Sequence, residues 1–577
     1  MDKYCSTERT IQIIISLLKA NGIKKIIASP GATDVTLNAS LQHDPWFEMY
    51  SEVDERGAAY MACGMAAESG EPVVITCTGA TSSRNYLPGL TEAYYRKLPI
   101  LAITCCRSNA FVGHYVDQVT DRSCPPSDTV NISVYAQAVR TQDDEWDVAM
   151  KVNKAILGLK FNGGGPCHIN METTYTADFS VKDIPTVRTI RRYTKDDTLP
   201  AIPEGRIGIF VGNHEKWTDD LTTAVDSFCE TYNAVVFCDQ TSNYKGKYRV
   251  LFPLLYDQFD SDKGLNTIDL LIHIGYISTC QCRAKNIWRV NIDGEIRDTF
   301  KKLTSVFQMS ELDFFRSYTE GQDKGENTLW NMYNTCYETL LSEMPELPFS
   351  NMWIAQQISK KLPESSALHM GIRNSLRSWN YFEVPQSVLG YCNTGGFGID
   401  GGVSSQIGAS LCNPDKLYYG VYGDLLFFYD MNSIGNRDIK PNVRILIVNN
   451  GLGQEFKNYG CSGSTLGQET NLFIAAEGHF AKKSRQLIKG MTESLGFEYL
   501  TASNKEEFTA IQAKFLSPEI GDKPIIFEVF TESELESEAF KQIITISNSA
   551  KMKLALKDLI DRPELKFVRT AVKKITR

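Results

Sequence analysis

Apolar residues recur at helical spacing near the start of the chain, at Ile11, Ile14, Ile15 and Leu18, and Gly22 ends that run. The stretch 23–28, IKKIIA, then stops at Ser29-Pro30-Gly31, as a short buried strand does. The alternation continues with a strand at 47–53, an Ala- and Gly-rich helix at 56–70, a strand at 72–76, a helix at 85–96 and a strand at 99–104. Residues 163–171, GGGPCHINM, read as the closing strand of this unit. Strands alternating with helices predict a parallel sheet covered by helices on both faces.

The pattern breaks at 174–203, a polar stretch with Pro185, Pro200 and Pro203 that reads as a linker. A second α/β unit follows, with strands at 206–211, 234–238, 270–274 and 290–292 and a helix at 219–232. The polar run 321–327 reads as a second linker, and from about residue 347 a third unit carries strands at 418–422, 443–448 and 524–529. The expectation is an α/β protein of three doubly wound parallel-sheet domains, at 1–180, 181–340 and 341–577.

Composition narrows the class. The 577 residues carry a formal net charge of −9, with 42% hydrophobic and 22% charged residues, ordinary values for a globular chain. The acidic balance offers no footprint for nucleic acid; the basic stretch 551–577 reads as a solvated helix face. No apolar run approaches the ~20 residues of a membrane span, and the N-terminus lacks the pattern of a secretory signal. Fifteen scattered cysteines without zinc spacing suggest reduced thiols and a cytoplasmic protein.

The sharpest chemical signal lies in the third unit. The strand at 418–422 runs into Gly423-Asp424, and the strand at 443–448 into Asn449-Asn450-Gly451, so an Asp and an Asn stand at the C-terminal ends of two parallel strands. Ligands of open α/β sheets bind along that edge. A carboxylate and an amide oxygen are hard donors suited to Mg²⁺, which takes one or two protein groups plus substrate phosphates. The same pattern also describes an ordinary loop with an Asp at a helix N-cap.

GD, a spacer and NN resembles the thiamine diphosphate (ThDP) motif GDG…NN, with Leu425 in place of the third Gly and Asn450 26 residues after Asp424. Other segments resemble the same superfamily in order: SEVDERGAAYMACGMA around Glu55, CTGATSSRNYLPGL around Thr78 and Asn85, and GPCHINM. NTGGFGIDGGVSSQIGAS and NNGLGQEF resemble NRGASGIDG…STA and NNNGGQIF of the menaquinone-pathway SEPHCHC synthase branch. The resemblance implies pyrimidine-binding, central and diphosphate-binding domains, with active sites shared between the subunits of a homodimer or homotetramer. It also implies ThDP and Mg²⁺, with Asp424, Asn450 and the Leu452 carbonyl on the metal. Thr78, Asn85, Asn374, Ser375, Gly398, Ile399, Gly423 and Leu425 would contact the cofactor, Ile399 as its apolar support. Glu55 would share a proton with the aminopyrimidine and should therefore sit in an apolar wall.

Departures from the branch concern substrate. Its PGSRS segment is Pro30-Gly31-Ala32-Thr33-Asp34 here, and the Arg of NRGASGID is Thr394, so two cationic clamps are missing. The segment GNSxPxR becomes Asn374-Ser375-Leu376-Arg377, with the arginine shifted. Arg107 and Gln118 hold substrate-side positions, while Asp117 replaces an Asn and His114 is a new proton-donor or substrate-contact candidate beside Tyr115. His168, His273 and His369 read as structural, and Gly212-Asn213-His214 is no nucleotide loop. The expected activity is decarboxylation of a 2-oxo acid with transfer of the acyl anion equivalent to a carbonyl acceptor, without activity on isochorismate plus 2-oxoglutarate. The alternatives are a plain decarboxylase releasing an aldehyde and a catalytically silent ThDP-binding protein.

Overall fold

The computed structural model describes residues 3–259, 267–479, 484–547 and 550. The basic stretch 551–577 lies outside the described residues. The chain divides into two compact bodies, Met1–Asp196 with Gly294–Gln308, and Asp197–Asp293 with Met309–Arg577.

The first body holds strands β1 (Lys25–Ala28), β2 (Glu48–Ser51), β3 (Val73–Thr78), β4 (Ile100–Cys106), β5 (Ile132–Ala136) and β6 (Cys167–Glu172), in the order β2-β1-β3-β4-β6-β5 and all parallel. β3 and β4 are buried at every residue, which is why they read as continuous apolar runs. A further strand, β7 (Arg191–Thr194), lies in the stretch 174–203 that the sequence pattern marks only as a linker. Its register residues are Arg191, Arg192, Tyr193 and Thr194, too polar to show an apolar run.

In the second body β8 (Ile207–Val211), β9 (Ala234–Cys238), β10 (Arg249–Leu251), β11 (Thr267–Ile274) and β12 (Arg283–Val290) line up as β10-β9-β8-β11-β12, all parallel. The strand expected at 290–292 is thus the earlier β12, whose first half is exposed and polar. β13 (Leu303–Gln308) returns to the first body and pairs in parallel with β7. The second body also carries β14 (Ala367–Met370), β15 (Leu389–Tyr391), β16 (Tyr418–Gly423), β17 (Val443–Asn449), β18 (Glu498–Ala502) and β19 (Ile525–Phe530), in the order β15-β14-β16-β17-β19-β18. Every pairing in this sheet is parallel. The fold is α/β with doubly wound parallel sheets, as the alternating pattern predicts. Three central strands of this last sheet were legible; β14, β15 and β18 were not, because they are short or lie at an edge with half-exposed residues.

Helices cover the sheets. The helix Glu55–Ser69 turns Ala58, Ala59, Ala62 and Ala66 inward. These small residues let the helix Leu87–Arg96 approach closely: a Cβ on Gly89 would lie 2.4 Å from Ala59 Cβ and 2.9 Å from its carbonyl carbon. The helix expected at 85–96 is two pieces, Ser82–Asn85 and Leu87–Arg96, with Pro88 in the first turn of the second. All fifteen cysteines are free, and among the described residues no helix is long and apolar enough to cross a membrane.

Gly89→Ala is expected to destabilise the fold by about 1–3 kcal/mol through overpacking. Gly64→Ala, in the same helix as Ala59 but with nothing within 4 Å of its new Cβ, should stabilise by up to about 1 kcal/mol. Urea titration of both variants checks the pair; equal losses would remove the close helix contact as the cause.

Candidate active site

β16 and β17 are neighbours in register, Gly423 opposite Val448, and both are buried along almost their full length. Asp424 is the first residue of the helix Asp424–Tyr429 and Asn450 the first residue after β17, so both stand on the same C-terminal sheet edge. The preceding Asn449 turns inward and donates to Glu528 at 2.6 Å, which leaves Asn450 as the half-exposed member of the pair. Gly451 adopts φ +77°, bending the chain between Asn450 and Leu452; the Leu452 N–H donates to Asn450 Oδ1 at 3.3 Å.

Asp424 is 5% exposed. Burial pushes its pKa up to about 7, against hydrogen bonds from the backbone N–H groups of Leu425, Asp424 and Gly451, and Glu528 adds repulsion. A desolvated carboxylate beside amide and carbonyl oxygens is a donor set that fits a divalent cation such as Mg²⁺. A Cβ on Gly423 would meet nothing within 4 Å, so there is open space beside that carboxylate. Among the described residues no group of three or more His, Cys, Asp or Glu converges.

The loops along the same edge carry the other expected residues of this body. Asn374 and Ser375 open the helix Asn374–Trp379 directly beyond β14. Asn374 accepts from Asn458 at 3.0 Å, and buried Ser375 accepts from Asn351 at 3.1 Å. Gly398 lies so close to Asp400 that a Cβ would come within 2.2 Å of its Oδ1. Ile399 packs half-buried against the cluster of Val403, Tyr422 and Leu426. Thr394 is buried, and half-exposed Leu425 lies beside Gly453. Arg377 is held in a two-pronged ion pair with Glu455, at 2.6 and 2.9 Å, so its own chain already engages it. Glu455 was missed as a site residue; the signal was present, since it stands where NNNGGQIF has an apolar residue.

In the first body Glu55 begins the helix Glu55–Ser69, behind Asp54, whose side chain caps the Arg56 N–H. Asn85 Nδ2 donates to Glu55 Oε2 at 2.9 Å. Partial burial works to raise the Glu55 pKa, but hydrogen bonds from Asn85 and Ser82 outweigh it and the carboxyl lies below its ordinary value. Within the single chain Glu55 is half-exposed at a helix N-terminus, where backbone N–H groups favour the anion. Thr78 ends β3 and is buried; a Cβ on Gly31 would fall 2.0 Å from its Oγ1, so that approach requires glycine.

Asp34, the last residue of the altered Pro30–Asp34 segment, is buried and ties the Pro30-Gly31 turn, accepting from Gly31 N–H and Asn38, each at 3.0 Å. Burial raises its pKa to about 6. Arg107 follows β4 and is gripped by Asp117 through two 3.0 Å contacts. His114 and Gln118 lie exposed on the following loop. His168 is buried between Thr104 (2.8 Å) and Ser133 (2.9 Å), its pKa lowered to about 4 chiefly by desolvation. His273 and His369 are buried in the second body.

Residues 9–123 match the family model described as thiamine pyrophosphate enzyme, N-terminal TPP binding domain. Over 562 residues the chain is 28% identical to 2-succinyl-5-enolpyruvyl-6-hydroxy-3-cyclohexene-1-carboxylate synthase of Bacteroides thetaiotaomicron, covering 93% of this chain and 98% of the relative. The enzyme of the same name from Phocaeicola vulgatus is 28% identical over 564 residues, with the same coverage. A solved structure, the Rhodococcus jostii RHA1 thiamine diphosphate-dependent 4-hydroxybenzoylformate decarboxylase, matches over 91% of this chain and 99% of its own at 16% identity, with a TM-score of 0.39.

The support beneath Asn374 is itself titratable. Glu536 is 2% exposed and accepts from the Asn351 N–H at 2.9 Å and from Thr531 at 2.8 Å, with a further bond from Asn374. Burial raises its pKa to about 7. The folded state thus holds a proton that the unfolded state releases from about pH 4.5, so stability falls as pH rises toward 7. Glu536→Gln keeps both acceptor contacts and should flatten that slope, making the variant more stable at pH 8 by on the order of 3 kcal/mol. Denaturation at pH 5 and pH 8 checks this; an unchanged slope refutes it.

Proposed function

We propose that this chain, which belongs to the thiamine diphosphate-dependent enzymes, uses ThDP and Mg²⁺ to decarboxylate a 2-oxo acid and passes the acyl unit to a carbonyl acceptor. The observation that carries the reading is the pair Asp424 and Asn450 at the ends of adjacent buried strands, with the Asp424 carboxylate desolvated. When bound, the cofactor supplies the electron sink that decarboxylation needs. Asp424, Asn450 and the Leu452 carbonyl would hold the metal, and the absence of a side chain at Gly423 would leave room for the diphosphate. Glu55, oriented by Asn85, holds and returns a proton at the aminopyrimidine nitrogen, and the half-buried Ile399 supports the cofactor from an apolar base.

Because Glu55 and Asp424 stand in separate bodies of the chain, the resemblance makes the working unit a homodimer or homotetramer. The relatives are named for a synthase of a cyclohexene carboxylate; this chain has Thr33 and Thr394 where the branch's PGSRS and NRGASGID segments carry arginines. Missing charge-assisted bonds, roughly 1.5–3 kcal/mol each, support a less anionic acceptor. The plain decarboxylase reading differs only in lacking that acceptor, and product analysis with and without added carbonyl compounds separates the two.

Asp424→Ala should abolish ThDP retention measured by calorimetry in the presence of Mg²⁺; parental affinity would refute the metal assignment. Glu55→Gln should bind ThDP within a few-fold of the parent yet release CO₂ from 2-oxo acids roughly 10²–10⁴ times more slowly. A rate unchanged from the parent would remove Glu55 from the proton relay.

A further inference from the structure

Arg122, in the loop between β4 and β5 of the first body, is 5% exposed. Its hydrogen-bond partners are all neutral. Nη1 donates to the carbonyls of Gly79 and Thr120 and to Thr120 Oγ1, and Nε donates to Asn170 Oδ1 at 3.2 Å. Nη2 is shielded from water and has no hydrogen-bond partner; the Cys106 thiol, a weak acceptor, stands beside the guanidinium. The neighbouring Asp121 is a surface carboxylate bonded by Ser123, and only its field reaches Arg122. Arg188 and Arg249, also largely buried, each meet a carboxylate, Asp298 and Glu383. A buried cation without such a partner is costly.

The fold nevertheless makes room for this one. Gly79 follows β3, and a Cβ there would lie 2.9 Å from Arg122 Cζ. Beside Arg122 is a cavity of about 30 Å³, whose walls include Ser83, Arg84, Thr104, Thr129 and His168. At about 10–15 Å³ for each water, it holds about two waters or one monatomic anion, and it is too small for an organic acid. The hydroxyls around it are already engaged: Ser83 donates to the Gly79 and Ala80 carbonyls, Thr129 to the Pro126 carbonyl, and Thr104 is joined to His168. Arg84 donates to the Asp121 carbonyl at 2.6 Å and brings a second positive charge to the wall. Both arginines act on His168: beyond desolvation, their charges are what hold its pKa down at about 4, and no carboxylate counters them there.

We propose that this cavity binds one monatomic monovalent anion, of the size of chloride or bromide, against Nη2 of Arg122. The anion supplies the countercharge that the surrounding side chains withhold; two waters would fill the same volume and leave the guanidinium unpaired. Arg122 ties Gly79 to Asn170 of β6, and Gly79 leads into the helix Ser82–Asn85, whose last residue donates to Glu55. An anion that fixes the guanidinium therefore steadies the segment that orients Glu55. Neither cofactor nor substrate enters the argument, so the site stands or falls apart from the function proposed above.

The test melts the full chain in chloride-free buffer, with ThDP and Mg²⁺ present throughout. At constant ionic strength, sodium gluconate, whose anion is too large for the cavity, is exchanged for sodium bromide. The melting temperature of the parent should rise with bromide and level off as a single site fills. Arg122→Gln removes the charge and keeps a side-chain amide, and it should lose this dependence. A parent indifferent to bromide, or a variant that responds as the parent does, overturns the proposal. Anomalous scattering from parent crystals grown in bromide needs no variant, and decides the matter if Arg122→Gln fails to fold. A bromide peak beside Nη2 is expected; water alone in the cavity refutes the site.

Discussion

A carboxylate kept in the dry end of a parallel sheet costs free energy wherever it stands, and Asp424 is such a group. Its position depends on how firmly β16 and β17 are joined. Gln406 donates to the carbonyls of Tyr418 on one strand and Arg444 on the other, at 2.8 and 3.0 Å. Arg444, buried near the start of β17, sends its guanidinium to the carbonyls of Lys514, Phe515 and Glu519. A cation there suits the C-terminal end of the helix Lys505–Phe515, where unpaired carbonyls carry partial negative charge. The starts of the two strands are thereby held, and Asp424 and Asn450 stand at their other ends. Burial raises the cost of the anion, and the adjacent oxygens make a cation the natural compensation.

Glu55 represents the opposite solution to placing a carboxylate. It sits at a helix start, half-exposed, with Asn85 donating to it, and its anion is favoured. Two acids on the same chain are thus pushed apart in proton affinity by burial on one side and hydrogen bonding on the other. That separation is the usual signature of groups with different chemical tasks.

Arg377 and Arg107 are each paired with a carboxylate of the same body. Arg377 with Glu455 is largely shielded from water, whereas Arg107 with Asp117 is not, the Asp117 side chain being 73% exposed. Screening weakens the second pair, and its energy is modest. The first pair resists solvent competition more than the second.

The continuous apolar runs of β3, β4 and β17, and the Asp and Asn placed beyond β16 and β17, were legible because burial on both faces leaves an unmistakable local pattern. Resemblance in ordered motifs then named the cofactor class, since those motifs are short and contiguous. What the sequence could not show was pairing across distance. Glu455 lies 78 positions from Arg377, and Asp34 ties its own turn. Strands such as β7 and β18 escaped notice because half-exposed and polar segments need neighbours, not periodicity, to become strands. Composition and order along the chain determined the fold class and the candidate chemistry; tertiary structure alone decided which charges are open and which are spent on one another, because only proximity and burial set those fields.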